Sequence, residues 1–597
     1  MRRIICVTIL ILLSEVVNAQ NKYFERKIDW ADFNSGRKVI EKDDLSLTIT
    51  GNYLNVNDYL WHGYFLRTNQ YGDTLLLHMF PEFGDSYFGS LLPTEYGYAI
   101  SGYIYQDIAD DYSYRGFLLQ LDPDGNQLQF DYTGTPTDTM PSYIYDLIRT
   151  PDNGYLLAGH KINEWVFPYY WKFYLVKLNQ NGQTEWERIY DNYTYSNIFS
   201  SIVPADDGGY YFWGVANLVL LAGEQASDLI LAKVDEQGIM QWDSIYNLEP
   251  PIHGTTTLTK LSDGNLLAIA ASGTNGDTQR IIKFSLSGAI IWQVTFPDYG
   301  CGISQVVELP NSELVFTNCY YPVGISRTDM AIFKLSANGS PRWWRQYGNS
   351  GFHDYGYDII LARDGGFVVT GRQDTTGGSS VWVVRTNCMG LVTPLPQASF
   401  SWQADAINPF SLQFTNLSHF VYADSIDGGK YIWDWGDGSP PVTFTSESFQ
   451  EVFHNYPAPG SFTVTLTAVV CQDTSMVQAT IETLSGAGGT VGLPTNPQKE
   501  EPTILIYPNP AQNTLTFSYT DVLMSPSGDL GVSKGWGVNL KLLSLTGQTV
   551  LETTLVSTGS TSQTTISVAH LPVGVYFYVV EDDSAVLARG KVAVVGK

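Results

Sequence analysis

The chain repeats itself from about residue 45 to about residue 392, and this constrains its fold more than any other feature. Asp152 to Gly159, Asp207 to Gly214 and Asp364 to Gly371 each read as a turn followed by an apolar run ending in a small residue. A second apolar run follows after a variable loop, as in Phe173 to Leu178 and Leu229 to Val234. A turn glycine and an aromatic strand then close the unit, as in Gly182 to Trp186 and Gly238 to Trp242. The second-turn glycines are Gly72, Gly125, Gly182, Gly238, Gly288, Gly339 and Gly390, spaced 53, 57, 56, 50, 51 and 51 residues apart. A near-constant period of this length means one supersecondary unit used seven times. Helical periodicity of useful length is absent, so a helical solenoid is excluded.

Each copy shows three short strands and leaves room for a fourth, as in a propeller blade of four antiparallel strands. The last copy stops at Leu391-Val392-Thr393-Pro394 without its aromatic strand. Phe24-Glu25-Arg26-Lys27-Ile28-Asp29 matches Trp186-Glu187-Arg188-Ile189-Tyr190-Asp191 in kind. Residues near 23–30 are therefore expected to complete the seventh blade, closing the ring and removing exposed edges. The repeats resemble those of Trp-containing secreted β-propellers. Lys233 to Trp242 also resembles the Trp motif of quinoprotein propellers, which docks blades and is structural. The cofactor-binding ring of a quinone-dependent dehydrogenase is not identifiable, and the Asp-box offsets of sialidases are not matched.

Two further β modules follow. Pro394-Leu395-Pro396 reads as a linker. Tyr431-Ile432-Trp433-Asp434-Trp435-Gly436-Asp437-Gly438, then His454-Asn455-Tyr456 and the alternating strand Ser461 to Thr467, resemble the polycystic-kidney-disease (PKD) domain. That resemblance implies an immunoglobulin-like sandwich over 397–484. It makes Trp433 core, Gly436, Asp437 and Gly438 a tight turn, and His454 and Tyr456 structural. Calcium at Asp434 and Asp437 is the less favoured alternative. Residues 485–502, rich in Gly, Pro and Thr, read as a flexible linker. The segment 503–597 carries Tyr507-Pro508-Asn509-Pro510, then Leu540 to Gly547, then Leu571-Pro572-Val573-Gly574-Val575-Tyr576, and a last strand around Lys591. It resembles the C-terminal sorting domain of type IX secretion substrates, with Thr546 where the family commonly has Asp and an inserted stretch from Met524 to Gly537. The resemblance implies a β-sandwich that directs the chain across the outer membrane of a Bacteroidota-type bacterium. In the family this domain is often removed and the protein linked to surface lipopolysaccharide or released.

The N-terminus fits such a route. Arg2 and Arg3, the apolar run Ile4 to Leu13, and Val17-Asn18-Ala19 read as a signal peptide over 1–19, leaving 20–393 for the propeller. No later stretch is long and apolar enough to cross a membrane as a helix. The chain has 597 residues, 33 Lys+Arg against 60 Asp+Glu, and a net charge of -27, which argues against a nucleic-acid partner. An oxidising destination permits disulfides among Cys301, Cys319, Cys388 and Cys471. Cys301, Cys319 and Cys388 fall near one another in the repeat register, so one bridge among them is expected; the connectivity is open.

Motifs with chemistry are missing. No HExxH, GxSxG or Walker loop appears, and no metal-ligand spacing. Asp122 to Asn126 resembles the start of a calcium loop but sits at an ordinary repeat turn. The acid pairs Asp110-Asp111 and Asp206-Asp207 read as solvated loop charge. The aromatic loops Trp165 to Trp171 and Asp191 to Tyr195 lie where the repeat tolerates insertion, a position that often forms a binding face. Trp165, Tyr169, Tyr170, Tyr193 and Tyr195 are thus the candidate ligand contacts, for glycan or protein. The expectation is an all-β, secreted or surface-anchored protein: a seven-bladed propeller, a PKD sandwich and a sorting sandwich. It would be a non-enzymatic binding or adhesion protein without cofactor; the other reading is a glycan-active hydrolase or lyase with its site on the propeller face.

Overall fold

A computed structural model of the chain describes residues 22–108, 111–134, 140–162, 170–193, 195–221, 224–248, 252–272, 278–296, 305–320, 327–348, 351–404, 408, 410–421, 428–445, 451–483, 504–507, 513–520, 538–544, 548–555, 561–572, 574–581 and 586–594. The structure is all β; a single 3-10 turn, Pro81–Phe83, is the only helical element among the described residues. The expected signal peptide and the linker 485–502 lie outside the described residues.

Five separate four-stranded antiparallel sheets occupy 86–132, 142–190, 196–246, 252–296 and 306–347. A sixth, eight-stranded sheet consists of two four-stranded halves, joined by the single parallel pair Phe33↔Ser379. One half is 33–80; the other is 354–386 together with the N-terminal strand Phe24–Ile28. We number these sets blades 1 to 7, starting at 33–80. In blade 7 the N-terminal strand lies antiparallel on Ser379–Thr386, from Phe24↔Arg385 to Ile28↔Val381. The edge left bare by the truncated last copy is thereby covered.

The repeat period has a physical cause. All seven second-turn glycines have positive φ, between 68° and 84°. Here glycine avoids the Cβ penalty of the left-handed region. At several of them a Cβ would also strike the outer-strand aromatic of the preceding blade: Trp186 at Gly238, Trp292 at Gly339, Trp343 at Gly390, and Phe24 at Gly72. The rings thus dock one blade on the next, and Phe24 takes the tryptophan's place for blade 7. Tyr190 Oη donates to the Gly238 carbonyl at 2.8 Å, and Tyr246 and Tyr347 bond Gly288 and Gly390 in the same way. The recurring lysine of the third strand binds the acid of the preceding turn: Lys177 with Asp152, Lys233 with Asp207, Lys283 with Asp263, and Lys334 with Glu313. Asp206 pairs with Lys260. The acidic turns are therefore tied down by the fold.

The chain divides into two compact units, and the division runs through the PKD segment. The first unit holds the propeller and 415–452 and 465–477. There Lys430–Asp434 pairs with the later half of the segment, Tyr431↔Ala468 and Trp433↔Leu466. Trp433 is fully buried, against Phe400 at 5.1 Å and Trp435 at 5.2 Å. Cys388, in the last turn of blade 7, is disulfide-bonded to Cys471, with Cα atoms 5.8 Å apart. Of the open connectivities, Cys388 therefore takes Cys471 rather than Cys301 or Cys319. Cys319 is also disulfide-bonded, and Cys301 lies outside the described residues. In the second unit, His454 and Tyr456 rings meet at 4.6 Å and Tyr456 stacks on Phe462 at 4.4 Å. Its C-terminal strands form a three-stranded and a four-stranded sheet around Leu515, Phe517, Leu540, Leu542 and Val592. No helix is long and apolar enough to cross a membrane among the described residues.

Candidate functional site

The inner strands of the blades line a single channel. Six of them break register, at Gly36/Lys38, Phe88/Ser90, Ile144/Asp146, Phe199/Ser201, Thr255/Leu258 and Gly356/Asp358. Such bulges re-aim side chains. Just past them, Lys38, Ser90, Asp146, Ser201, Thr257 and Asp358, with Gln305 from blade 6, line one cavity of about 440 Å³. Every blade contributes at least one polar residue to it, and blade 5 adds Thr259 and Lys260.

The two carboxylates in this ring hold blades together. Asp358 accepts the Val39 amide at 2.9 Å and the Lys38 ammonium at 3.3 Å, across blades 7 and 1. Asp146 accepts the Ile202 amide at 2.9 Å and the Ser201 hydroxyl at 3.0 Å, across blades 3 and 4. Burial raises the Asp358 carboxyl above its ordinary range, against the pull of Lys38. Burial also works against the Lys38 ammonium, but Asp358 and Asp146 outweigh it and hold it above its usual value. Because their oxygens accept backbone amides, these acids act as bolts.

On the inner strands of blades 2, 3 and 7 and on the strands beside them, aromatic rings gather. Tyr103 stacks on Tyr87 at 5.0 Å and meets Tyr143 edge-on at 4.7 Å. Tyr143 continues to Tyr114 at 5.1 Å and Trp171 at 5.1 Å. His160 lies 5.1 Å from Tyr145 and 4.9 Å from Trp171. From blade 7, Tyr357 stacks near Tyr355 at 6.1 Å, and both Tyr357 and Tyr87 cover the guanidinium of Arg37, at 4.2 and 5.4 Å. These tyrosines are half-buried, and Tyr105 beside Tyr114 is exposed. Burial and the Asp85 carboxylate, 3.2 Å from the Tyr114 hydroxyl, push that phenol up to about 12. Burial raises Tyr103 further, and it lowers His160 to about 3. The group is therefore mainly phenols and a neutral imidazole, with Asp85 on Tyr114, Arg37 beside Tyr87 and Tyr357, and the Asp374-paired Arg372 over Tyr355. It can stack on flat or ring-shaped ligands and exchange hydrogen bonds with them.

The expected contact residues fall out differently. Trp165 and Tyr169 lie outside the described residues. Tyr170 and Tyr195 meet edge-on at 5.9 Å, with Tyr195 exposed. Tyr193 is corrected to a core residue: it is buried, packs on Phe173 and donates to Asp243. Trp171, the end of the same loop, joins the tyrosine group. The sequence signal for that group lies in two copies with identical spacing, Tyr143-Ile144-Tyr145-Asp146-Leu147-Ile148 and Tyr355-Gly356-Tyr357-Asp358-Ile359-Ile360.

Among the other expected positions, Asp434 and Asp437 accept the amides of Gly436 and Ser439, so each caps a turn. Gly436 and Gly438 have φ of 75° and 86°. Among the described residues no group of three or more His, Cys, Asp or Glu is placed to hold a metal ion. In the C-terminal segment Tyr507 lies in the strand Ile504–Tyr507, Gly574 and Tyr576 in Gly574–Glu581, and Lys591 pairs with Phe577. Tyr576 is buried and donates to the Pro572 carbonyl at 2.8 Å. Pro508, Asn509, Pro510 and Gly547 lie outside the described residues.

Residues 505–594 match the secretion system C-terminal sorting domain family, and residues 409–483 match the PKD domain family. The chain is thus sorted by the type IX secretion machinery and is secreted or attached to the outer surface. A search of curated proteins found no match. Solved structures with a similar course include a protein of unknown function from Dyadobacter fermentans, at 10% identity and TM-score 0.37, covering 60% of this chain and 97% of that one. Another is the β-propeller domain of the Trilobed protease from Pyrococcus furiosus, at 9% and 0.35, covering 59% and 94%. A third is a polysaccharide lyase, an ulvan lyase, at 9% and 0.40, covering 60% and 96%. Likenesses this small decide nothing about the chemistry of this chain.

Proposed function

We propose that this chain is a non-catalytic binding protein of the outer cell surface. Its seven blades form a closed ring over 20–393, and the tyrosine-lined end of the channel binds extracellular glycan. The PKD module, 397–484, spaces the ring from the sorting domain, 503–597, and attachment runs through surface lipopolysaccharide. The observation that carries this reading is the group of half-buried rings around Tyr103 and Tyr143, drawn from blades 2 and 3. Rings held edge to face leave other faces free for the C–H side of a sugar, and neutral phenols supply hydrogen bonds to its hydroxyls. The channel acids favour binding over hydrolysis, because both are engaged by backbone amides of the next blade.

A glycan array probed with the full chain tests this. Binding to a set of extracellular polysaccharides is expected, weakened about tenfold or more by Tyr143→Ala with the melting temperature retained. Unchanged binding in Tyr143→Ala, or binding to none of the glycans, overturns it.

A further inference from the structure

One cation beside the channel has no acid partner among the described residues. The recurring blade cations have acid partners: Lys177, Lys233, Lys283, Lys334 and Arg385 each sit in an ion pair with a turn carboxylate. Arg37 has none among the described residues. It is the extra residue of the blade 1 bulge, beside the channel residue Lys38. Its guanidinium carbon lies 5.4 Å from the Tyr87 ring and 4.2 Å from the Tyr357 ring, and its Nε is buried without a hydrogen-bond partner.

Leaving a guanidinium half-buried and unpaired is costly, since its N–H donors lose water and gain no acceptor. A fold that needed only a filler there could place an apolar side chain. With rings beside it and no acid partner, its N–H donors are the groups able to bond a ligand. That fork matches a carboxylate or a sulfate, which it bonds with two parallel N–H groups.

We infer that Arg37 makes the tyrosine-lined channel end selective for anionic saccharides, those bearing a carboxylate or sulfate on the sugar ring. The inference rests on the glycan-binding reading above and narrows its ligand class. Arg37 would grip the anionic group while the neighbouring tyrosines hold the ring. Lys38, next along the channel, adds positive potential although Asp358 shares it.

The test is titration of the full chain with three probes: cellohexaose as neutral ligand, a galacturonate hexamer, and a sulfated carrageenan hexamer. At least one anionic probe is expected to bind more tightly than cellohexaose. Arg37→Met should weaken that binding about 10- to 100-fold and weaken cellohexaose binding far less, so that the preference for the anionic probe is lost. The two anionic arms tell carboxylate from sulfate. Should Arg37→Met fail to fold, the wild type decides by salt: affinity for the anionic probe falls between 50 and 500 mM NaCl, while that for cellohexaose does not. Equal binding of neutral and anionic probes, or anionic binding indifferent to both Arg37→Met and salt, overturns the inference and leaves glycan binding standing. Binding of none of the three overturns both.

Discussion

Gly238 carries two constraints at once. Its φ is +75°, and a Cβ there would meet Trp186 at 2.8 Å. Gly264 has φ +82° but nothing within 4 Å. Alanine at Gly264 should therefore cost only backbone strain, about 1 kcal/mol, whereas alanine at Gly238 should cost about 2–3 kcal/mol because the docked ring must shift. Urea unfolding of the two variants measures the difference, and equal losses would mean that the ring does not dock the blades. His160 supplies a pH test. Burial lowers it from 6.5 to about 3, so the unfolded chain binds its proton across that window and the folded chain does not. Stability from keeping it neutral is complete above pH 6.5 and declines as pH falls toward 3. At pH 4.5 the loss relative to pH 7.5 should be on the order of 2 kcal/mol, and His160→Phe should remove most of it. Denaturant midpoints at the two pH values check this.

Strands and turns are the scale at which the sequence is most legible. The second-turn glycines stand out because no other residue fits their φ without strain, and the docking aromatics because each fills the same space against the next blade. The N-terminal strand is legible for the same reason: Phe24 meets Gly72 as Trp186 meets Gly238. The bulges are not legible in this way. A bulge has no obligatory residue type, so Arg37, Tyr145 and Tyr357 look like ordinary strand residues until the register is known. The expected aromatic loop gave a partial pointer, since Trp171 belongs to the tyrosine group while Tyr193 went into the core. A chain beginning at Asp29 would lose the strand on Ser379–Thr386 and expose that edge. It should unfold at a midpoint lower by about 3 kcal/mol or more and form oligomers, visible by light scattering. A monomer of unchanged stability would show that the N-terminal strand does not close the ring.

On the scale of the whole molecule, the blades, the PKD-matching segment and the sorting-domain segment follow one another in chain order. Cys388 and Cys471 close a loop of 83 residues between blade 7 and the PKD-matching segment. Cys471→Ser should cost up to about 4 kcal/mol by the loop-entropy argument, read as a lower denaturation midpoint. An unchanged midpoint would mean that the bridge adds no stability. The central claim is that the tyrosine-lined end of the channel is where this secreted protein meets its ligand. Hydrogen exchange of the full chain, with and without the best-binding oligosaccharide from the array, tests that most directly. Slowed exchange is predicted at the starts of the inner strands Ser86–Thr94, Ser142–Arg149 and Asp354–Leu361. Protection confined to residues 409–483 or 505–594, with those strands unchanged, would contradict the account.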